Sequence, residues 1–189
     1  MFEECFLKLK YIFNYEFLKR FFDIVFALFI LILISPLLAL IYFLISFFDK
    51  GPVIFKQIRV GKFGRQFTIY KFRTMKFVKE YKFDKPSNKI QNATIESSRE
   101  NFKTTEINDI RITKVGRLIR PIHLDELPQL INVLNGDMSF VGPRPDVPVQ
   151  KVDYEEYFWE MRTSVIPGIT GLAQLYPCNK LIERNNLDL

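Results

Sequence analysis

Residues Ile24 to Phe48 read IVFALFILILISPLLALIYFLISFF, a stretch without a single charged side chain and roughly 25 residues long, enough to cross the hydrocarbon core of a bilayer. The run is too long for a secretory signal, and no small-residue cleavage site follows it. The chain is therefore read as membrane-embedded. Lys19 and Arg20 precede the run, while Lys50, Lys56, Arg59, Lys62 and Arg65 follow it, so both flanks read as cytoplasmic. Ser35-Pro36 stands in the middle, where proline removes a helical hydrogen bond and bends the helix. Each arm is about a dozen residues, or roughly 18 Å, which reaches only partway through the hydrocarbon. A re-entrant helix follows from this: it enters, bends at Ser35-Pro36 and leaves on the same side, with the Ser35 hydroxyl free to satisfy a carbonyl released by the bend. On physics alone a proline-kinked spanning helix fits the same residues.

The rest of the chain is set by its size and charge. A length of 189 residues with 48% hydrophobic content supports one domain with a real core. The expected division is a membrane segment at 1–50 and a cytosolic domain at 51–189, mixed α/β and mostly helical. A formal charge of +6 points to an anionic partner: nucleic acid, a phosphorylated small molecule or the cytoplasmic face of a membrane. Cys5 and Cys178 lie near opposite ends, with no zinc or disulfide spacing, which favours a reducing compartment.

Directly after the membrane run, GPVIFKQIRVGKFGRQFTIYKFRTM (Gly51 to Met75) alternates apolar and cationic residues and reads as short strands joined at a turn from Gly61 to Gly64. Lys56, Arg59, Lys71 and Arg73 are placed to hold lipid headgroups or a substrate phosphate, or simply to form a solvated basic face. From Lys79 to Asn108 the sequence turns polar without a sustained period and reads as a surface excursion. Its sequon at Asn92 is a chance match, since both flanks read as cytoplasmic.

Order returns at Asp109. In LDELPQLINVLNG, residues Leu127, Leu130, Ile131 and Leu134 form one apolar helical face that Asn135-Gly136 terminates. Asp125 and Glu126 fall at the cap or first turn, with Pro128 tolerated close to the helix start. Carboxylates there can simply complement the helix dipole. Arg111, Arg117, Arg120 and Arg144 gather around the pair in sequence, however, and carboxylates among arginines suit a metal-bridged diphosphate site.

These residues carry a resemblance. Lys19-Arg20-Phe21-Phe22-Asp23, Ser35-Pro36, Gly51-Pro52-Val53-Ile54-Phe55, Tyr70-Lys71-Phe72-Arg73-Thr74-Met75, Asp109-Ile110-Arg111-Ile112-Thr113, Gly116, Arg120, LDELPQLINVLNGDMSFVGPRP and Pro167-Gly168-Ile169-Thr170-Gly171-Leu172-Ala173-Gln174 occur in order over nearly the whole chain. The sequence resembles the bacterial sugar transferase family, specifically its small monotopic phosphoglycosyl transferases. The resemblance implies an enzyme that moves a phosphosugar from a UDP-sugar to polyprenol (undecaprenyl) phosphate with release of UMP, the first membrane step of bacterial glycan assembly. It implies Asp125 as the nucleophile that carries the phosphosugar, Glu126 as metal ligand or base, and Mg2+ held by both. It also implies a re-entrant helix broken at Ser35-Pro36 and a seat on the cytoplasmic face of the inner membrane, in contact with lipid.

Substrate contacts are then expected first from Arg144 in the stiff Pro143-Arg144-Pro145 loop. Arg111, Arg120 and Gln174 follow, and Lys71 and Arg73 are candidates for the polyprenol phosphate. His123 is assigned nothing. The chain departs from the family pattern at Ile166, where a basic residue is usual, at Tyr176-Pro177-Cys178, and at Leu189, where relatives continue further. Those departures keep a non-catalytic membrane scaffold of a glycan assembly complex in view, and a UDP-releasing glycosyltransferase is the nearest other enzyme. A nucleic-acid binder fits poorly, because no helix-turn-helix, zinc or stacking signature is present.

Overall fold

The computed structural model of the chain describes residues 2–76, 109 and 111–171, with side chains from residue 15 onward. The polar excursion at 79–108, the Tyr176-Pro177-Cys178 departure, Gln174 and the last residues lie outside the described residues.

The apolar run belongs to one long helix, α1 (Phe2–Phe48), with Pro36 inside it. Helical backbone runs on through Pro36, and the local chemistry explains why. Proline at 36 cannot donate to the carbonyl of Ile32, and the Ser35 hydroxyl donates to that same carbonyl at 2.8 Å. The expected rescue by Ser35 is thus present.

One stripe of α1 packs on the rest of the protein. Asp23, Ala27, Ile30, Ile34, Leu38, Ile41 and Ile45 recur every three or four residues, the spacing of a single helical face. The remaining faces expose Phe29, Leu33, Phe43 and Phe47. The helix is long and apolar enough to cross a membrane, and most of it is bare, unlike the core helix of a soluble protein.

After α1, strands β1 (Ile54–Val60) and β2 (Gln66–Phe72) form an antiparallel hairpin around the turn at Lys62–Gly64, as the alternation predicted. The segments on either side of the polar excursion meet, since Met75 bridges Ile112 and the Lys76 N–H donates to the Arg111 carbonyl at 2.8 Å. Helix α2 (Lys114–Ile119) follows, its N-terminus capped by the Thr113 hydroxyl on the Gly116 N–H. Helix α3 (Gln129–Asn135) ends at Gly136, whose φ of 86° is the left-handed cap that glycine adopts without penalty.

Strand β3 (Ser139–Val141) pairs in parallel with β4 (Gly168–Thr170), and α4 (Glu156–Thr163) lies between them in sequence. The approach is close: a Cβ on Gly168 would collide with the backbone nitrogen of Gly142, so only glycine fits. Two apolar clusters hold these elements together. In the first, Ala27 of α1 meets Phe67, Ile69, Leu130, Val133 and Met138. In the second, Ile41 and Ile45 meet Val53, Phe72, Val115 and Ile119. Each fully buried aliphatic or aromatic side chain contributes about 1.5–3 kcal/mol. Because α1 enters both clusters, it forms one wall of the core as well as an apolar outer surface.

Polar groups reinforce that docking. Arg20 donates to the carbonyls of Val133 and Leu134 at the C-terminus of α3, where a cation also complements the helix dipole. Lys19 and Asp23 bond the Val141 carbonyl and the Phe140 N–H of β3. At the other end of α1, Arg73 donates to the carbonyls of Asp49 and Lys50 at 3.0 and 2.8 Å.

Candidate active site

Asp125 and Glu126 lie in a separate turn of 3-10 helix, Leu124–Glu126, one step before α3. They do not cap α3, contrary to the simple reading of their position, because Pro128 occupies its N-terminal boundary and makes no side-chain cap. The turn starts from His123 in the left-handed conformation, φ 56°, which is costly for a residue with a Cβ. His123 itself points outward and is exposed.

The two carboxylates meet different surroundings. Glu126 Oε1 accepts from Lys71 Nζ at 2.6 Å and from Arg144 Nη2 at 3.1 Å. Burial works against its charge, but Lys71 and Arg144 together prevail and hold it below the usual carboxylate range. Asp125 is 8% exposed, and among the described residues its buried Oδ1 has no hydrogen-bond partner. Burial raises its pKa above the ordinary aspartate value, with Lys71 only partly opposing.

Lys71 comes from the end of β2. Period-two alternation places it on the same strand face as Phe67 and Ile69, which are buried against α3. Burial pulls its pKa down, against the pull of Glu126. Arg144 comes from a loop whose carbonyls are all engaged. The Gly168 N–H bonds Pro143, Arg162 bonds Arg144, Arg59 bonds Pro145 and the Val60 N–H bonds Asp146, each at 2.9 Å. Arg162 also pairs with Asp146 at 2.7 Å, and Tyr154 reaches the same carboxylate. The arginine is thus held at its backbone while its guanidinium stays about half exposed.

Arg59 stands beside it, its pKa lowered to about 10 by burial and by the repulsion of Arg144. Lys71, Glu126, Arg144, Arg59 and Gln129 line a solvent-open cleft. Three cations against Glu126 leave this cleft electropositive, and the strain among them is relieved by an anion. Mg2+ commonly takes one or two carboxylates together with substrate phosphates. The unpartnered Asp125 Oδ1 suits such a shared site, whereas Glu126 Oε1 is already committed. Among the described residues no group of three His, Cys, Asp or Glu side chains forms a closed cage.

The other expected residues divide. Pro143 and Pro145 frame the Arg144 loop as anticipated. Arg120 adds its charge toward Asp125, and its buried Nη1 has no partner among the described residues. Arg111 is instead paired with Asp109, whose carboxyl it holds at about 2. Arg73 is turned to the end of α1 and away from the dyad. Sequence reasoning gave no site role to Arg162, whose task depends on a partner sixteen residues away. It also missed Asn132, a buried amide that reads as one polar position within an apolar helix.

Comparison with known proteins agrees with this geometry. Residues 14–189 match the bacterial sugar transferase family. The chain is 42% identical over 159 residues to a UDP-glucose:undecaprenyl-phosphate glucose-1-phosphate transferase of Klebsiella pneumoniae, an alignment covering 83% of this chain and 30% of that protein. It is 44% identical over 168 residues to an undecaprenyl-phosphate galactose phosphotransferase of Salmonella typhimurium, covering 85% and 33%. It is 38% identical over 175 residues to an uncharacterized sugar transferase of Bacillus subtilis, covering 91% and 75%. The chain spans about a third of the length of the first two relatives. With the match running through the dyad, the Pro143-Arg144-Pro145 loop and the long apolar helix, the chain belongs to the bacterial sugar transferase family.

Proposed function

We propose that the chain transfers a phosphosugar from a UDP-sugar to polyprenol phosphate and releases UMP, with Asp125 as the covalent carrier. The observation that carries this reading is the asymmetry of the dyad: one carboxylate saturated by cations, the other buried with an unpartnered oxygen beside them. The similarity to a UDP-glucose:undecaprenyl-phosphate glucose-1-phosphate transferase supports the donor and acceptor classes.

In the first half-reaction an Asp125 oxygen bonds the sugar-linked phosphorus, and the bond from that phosphorus to the UMP oxygen breaks. In the second, an oxygen of polyprenol phosphate bonds the same phosphorus and the bond to Asp125 breaks, restoring the carboxylate. Phosphoryl transfer of this kind needs position and charge more than proton transfer. The acceptor phosphate is already anionic, so no general base is required. Glu126, held ionised by its cations, is a weak base, and its task is to keep Lys71 and Arg144 where the diphosphate oxygens arrive. Mg2+ would be held against the Asp125 carboxylate, where it would supply charge neutralisation of the diphosphate.

The membrane seat is part of the proposal: α1 is re-entrant, with both ends on the cytoplasmic face. Support comes from the docked stripe, which runs from Lys19 to Ile45 on one side of the helix. A helix crossing to the far side would carry that docked domain into the hydrocarbon with it. Leu118 and Ile122, exposed on and beside α2, extend the bare apolar surface next to the second arm. The test is nucleotide release in detergent with magnesium, undecaprenyl phosphate and a panel of UDP-sugars. UMP is expected from one donor, whereas UDP from any donor contradicts the reading.

A further inference from the structure

Asn132 has no exposed surface and lies on α3 among Leu130 and Val133, where an apolar side chain would be expected. Its amide is fully used: Nδ2 donates to the Thr68 carbonyl at 2.7 Å and Oδ1 accepts from the Tyr70 N–H at 3.1 Å. These two groups flank Ile69 on the edge of β2 away from β1. Bonding a strand at the carbonyl before and the N–H after one residue is the pattern of a parallel ladder. The side chain of Asn132 therefore stands in for a missing third strand. The next residue along β2 is Lys71, whose amine meets Glu126, and Glu126 is six residues before Asn132 on the segment leading into α3.

We infer that Asn132 is a positioning residue for the proposed transfer: by locking the edge of β2 to α3 it sets the reach of Lys71 to Glu126, and so the charge balance of the dyad. Two features separate this from ordinary core packing. An apolar residue of similar volume fills the space but strands the Thr68 carbonyl and Tyr70 N–H, which no other strand among the described residues pairs. The freed edge is also the one that carries the site lysine. Glu126 is faced by Lys71 and Arg144, with Asp125, Arg59 and His123 nearby, so a displaced Lys71 leaves Arg144 as its only directly bonded cation.

The inference rests on the proposed reaction, and its test has one arm that does not. Asn132→Ala and Asn132→Asp are each made in the unmutated chain and in Lys71→Met, with UMP release and thermal stability measured for all. Asn132→Ala is the variant less costly to the fold, since Asn132→Asp keeps the acceptor for Tyr70 but sets a buried carboxylate against the Thr68 carbonyl. Loss of kcat of about a hundredfold is expected in the unmutated background, the scale of an ångström-sized misplacement. In Lys71→Met the same substitutions should cost less than about threefold, because their effect passes through the lysine. Equal fold-losses in both backgrounds would overturn the inference. If no donor yields UMP, the reaction fails first, and the stability coupling between Lys71→Met and Glu126→Gln decides instead. A coupling erased by Asn132→Ala supports the positioning role, and a coupling left intact refutes it.

Discussion

Asp125 and Glu126 are neighbours in one turn, yet they belong to two different regions of the protein. Glu126 faces β2 and the Pro143-Arg144-Pro145 loop, where Lys71 and Arg144 neutralise it at 2.6 and 3.1 Å. Asp125 faces inward, with Lys71 and Arg120 acting on it only through space and with Oδ1 unpaired among the described residues. The difference shows how adjacent carboxylates take separate tasks. In the proposed reaction the partnered one organises cations and stays ionised, and the unpartnered one keeps its oxygen available as the nucleophile at a cost to stability.

That contrast can be broken most sharply at Asp125 itself. Asp125→Asn should lower turnover on the order of 10⁴-fold or more, as loss of a covalent nucleophile does, and should at the same time raise the melting temperature near neutral pH. The sign follows from burial. A carboxyl whose pKa is raised by folding destabilises the fold as pH rises from its unfolded value through its folded value. Below that window the variant should gain nothing, so melting curves at acid and neutral pH check both halves of the claim.

Glu126→Gln should act in the opposite sense on stability. Its pKa is depressed by its cations, so it stabilises the fold above the unfolded value, and this contribution is lost as pH falls through the folded value. The variant leaves Lys71 and Arg144 facing each other uncompensated. A fall in the melting temperature at neutral pH is expected, together with a loss of kcat of about 10²-fold. Arg144→Lys is milder. A KM for the UDP-sugar raised about tenfold, with kcat less affected, is the outcome expected from replacing a guanidinium by a point charge on an anion contact.

The smallest effect belongs to His123. His123→Gly should leave turnover unchanged and stabilise the protein by up to about 1 kcal/mol, because glycine adopts φ 56° without the Cβ clash, less its own entropy cost. Loss of activity in that variant would give the imidazole a role that the geometry does not assign.

Much of this arrangement is written locally. Alternation in Ile54 to Phe72 marks a hairpin, the leucine spacing before Gly136 marks α3, and the Asp125-Glu126 pair stands out because charge beside leucines is costly without a purpose. The rest depends on partners far away in the chain. No local period announces that Arg73 will clasp the end of α1. Strands β3 and β4 have three residues each and pair across an intervening helix, too short for alternation to be read. Asn132 shows the same limit most plainly: on a helical wheel it is a blemish in the apolar face, and only the edge of β2 gives it meaning.

The most direct measurement of the central claim is the intact mass of the chain quenched after mixing with magnesium and its UDP-sugar but without polyprenol phosphate. The account predicts a mass gain of one phosphosugar, matched by one UMP per chain, that polyprenol phosphate discharges and that Asp125→Asn never shows. An unchanged mass in a protein that still turns over, or a gain that survives Asp125→Asn, would contradict it.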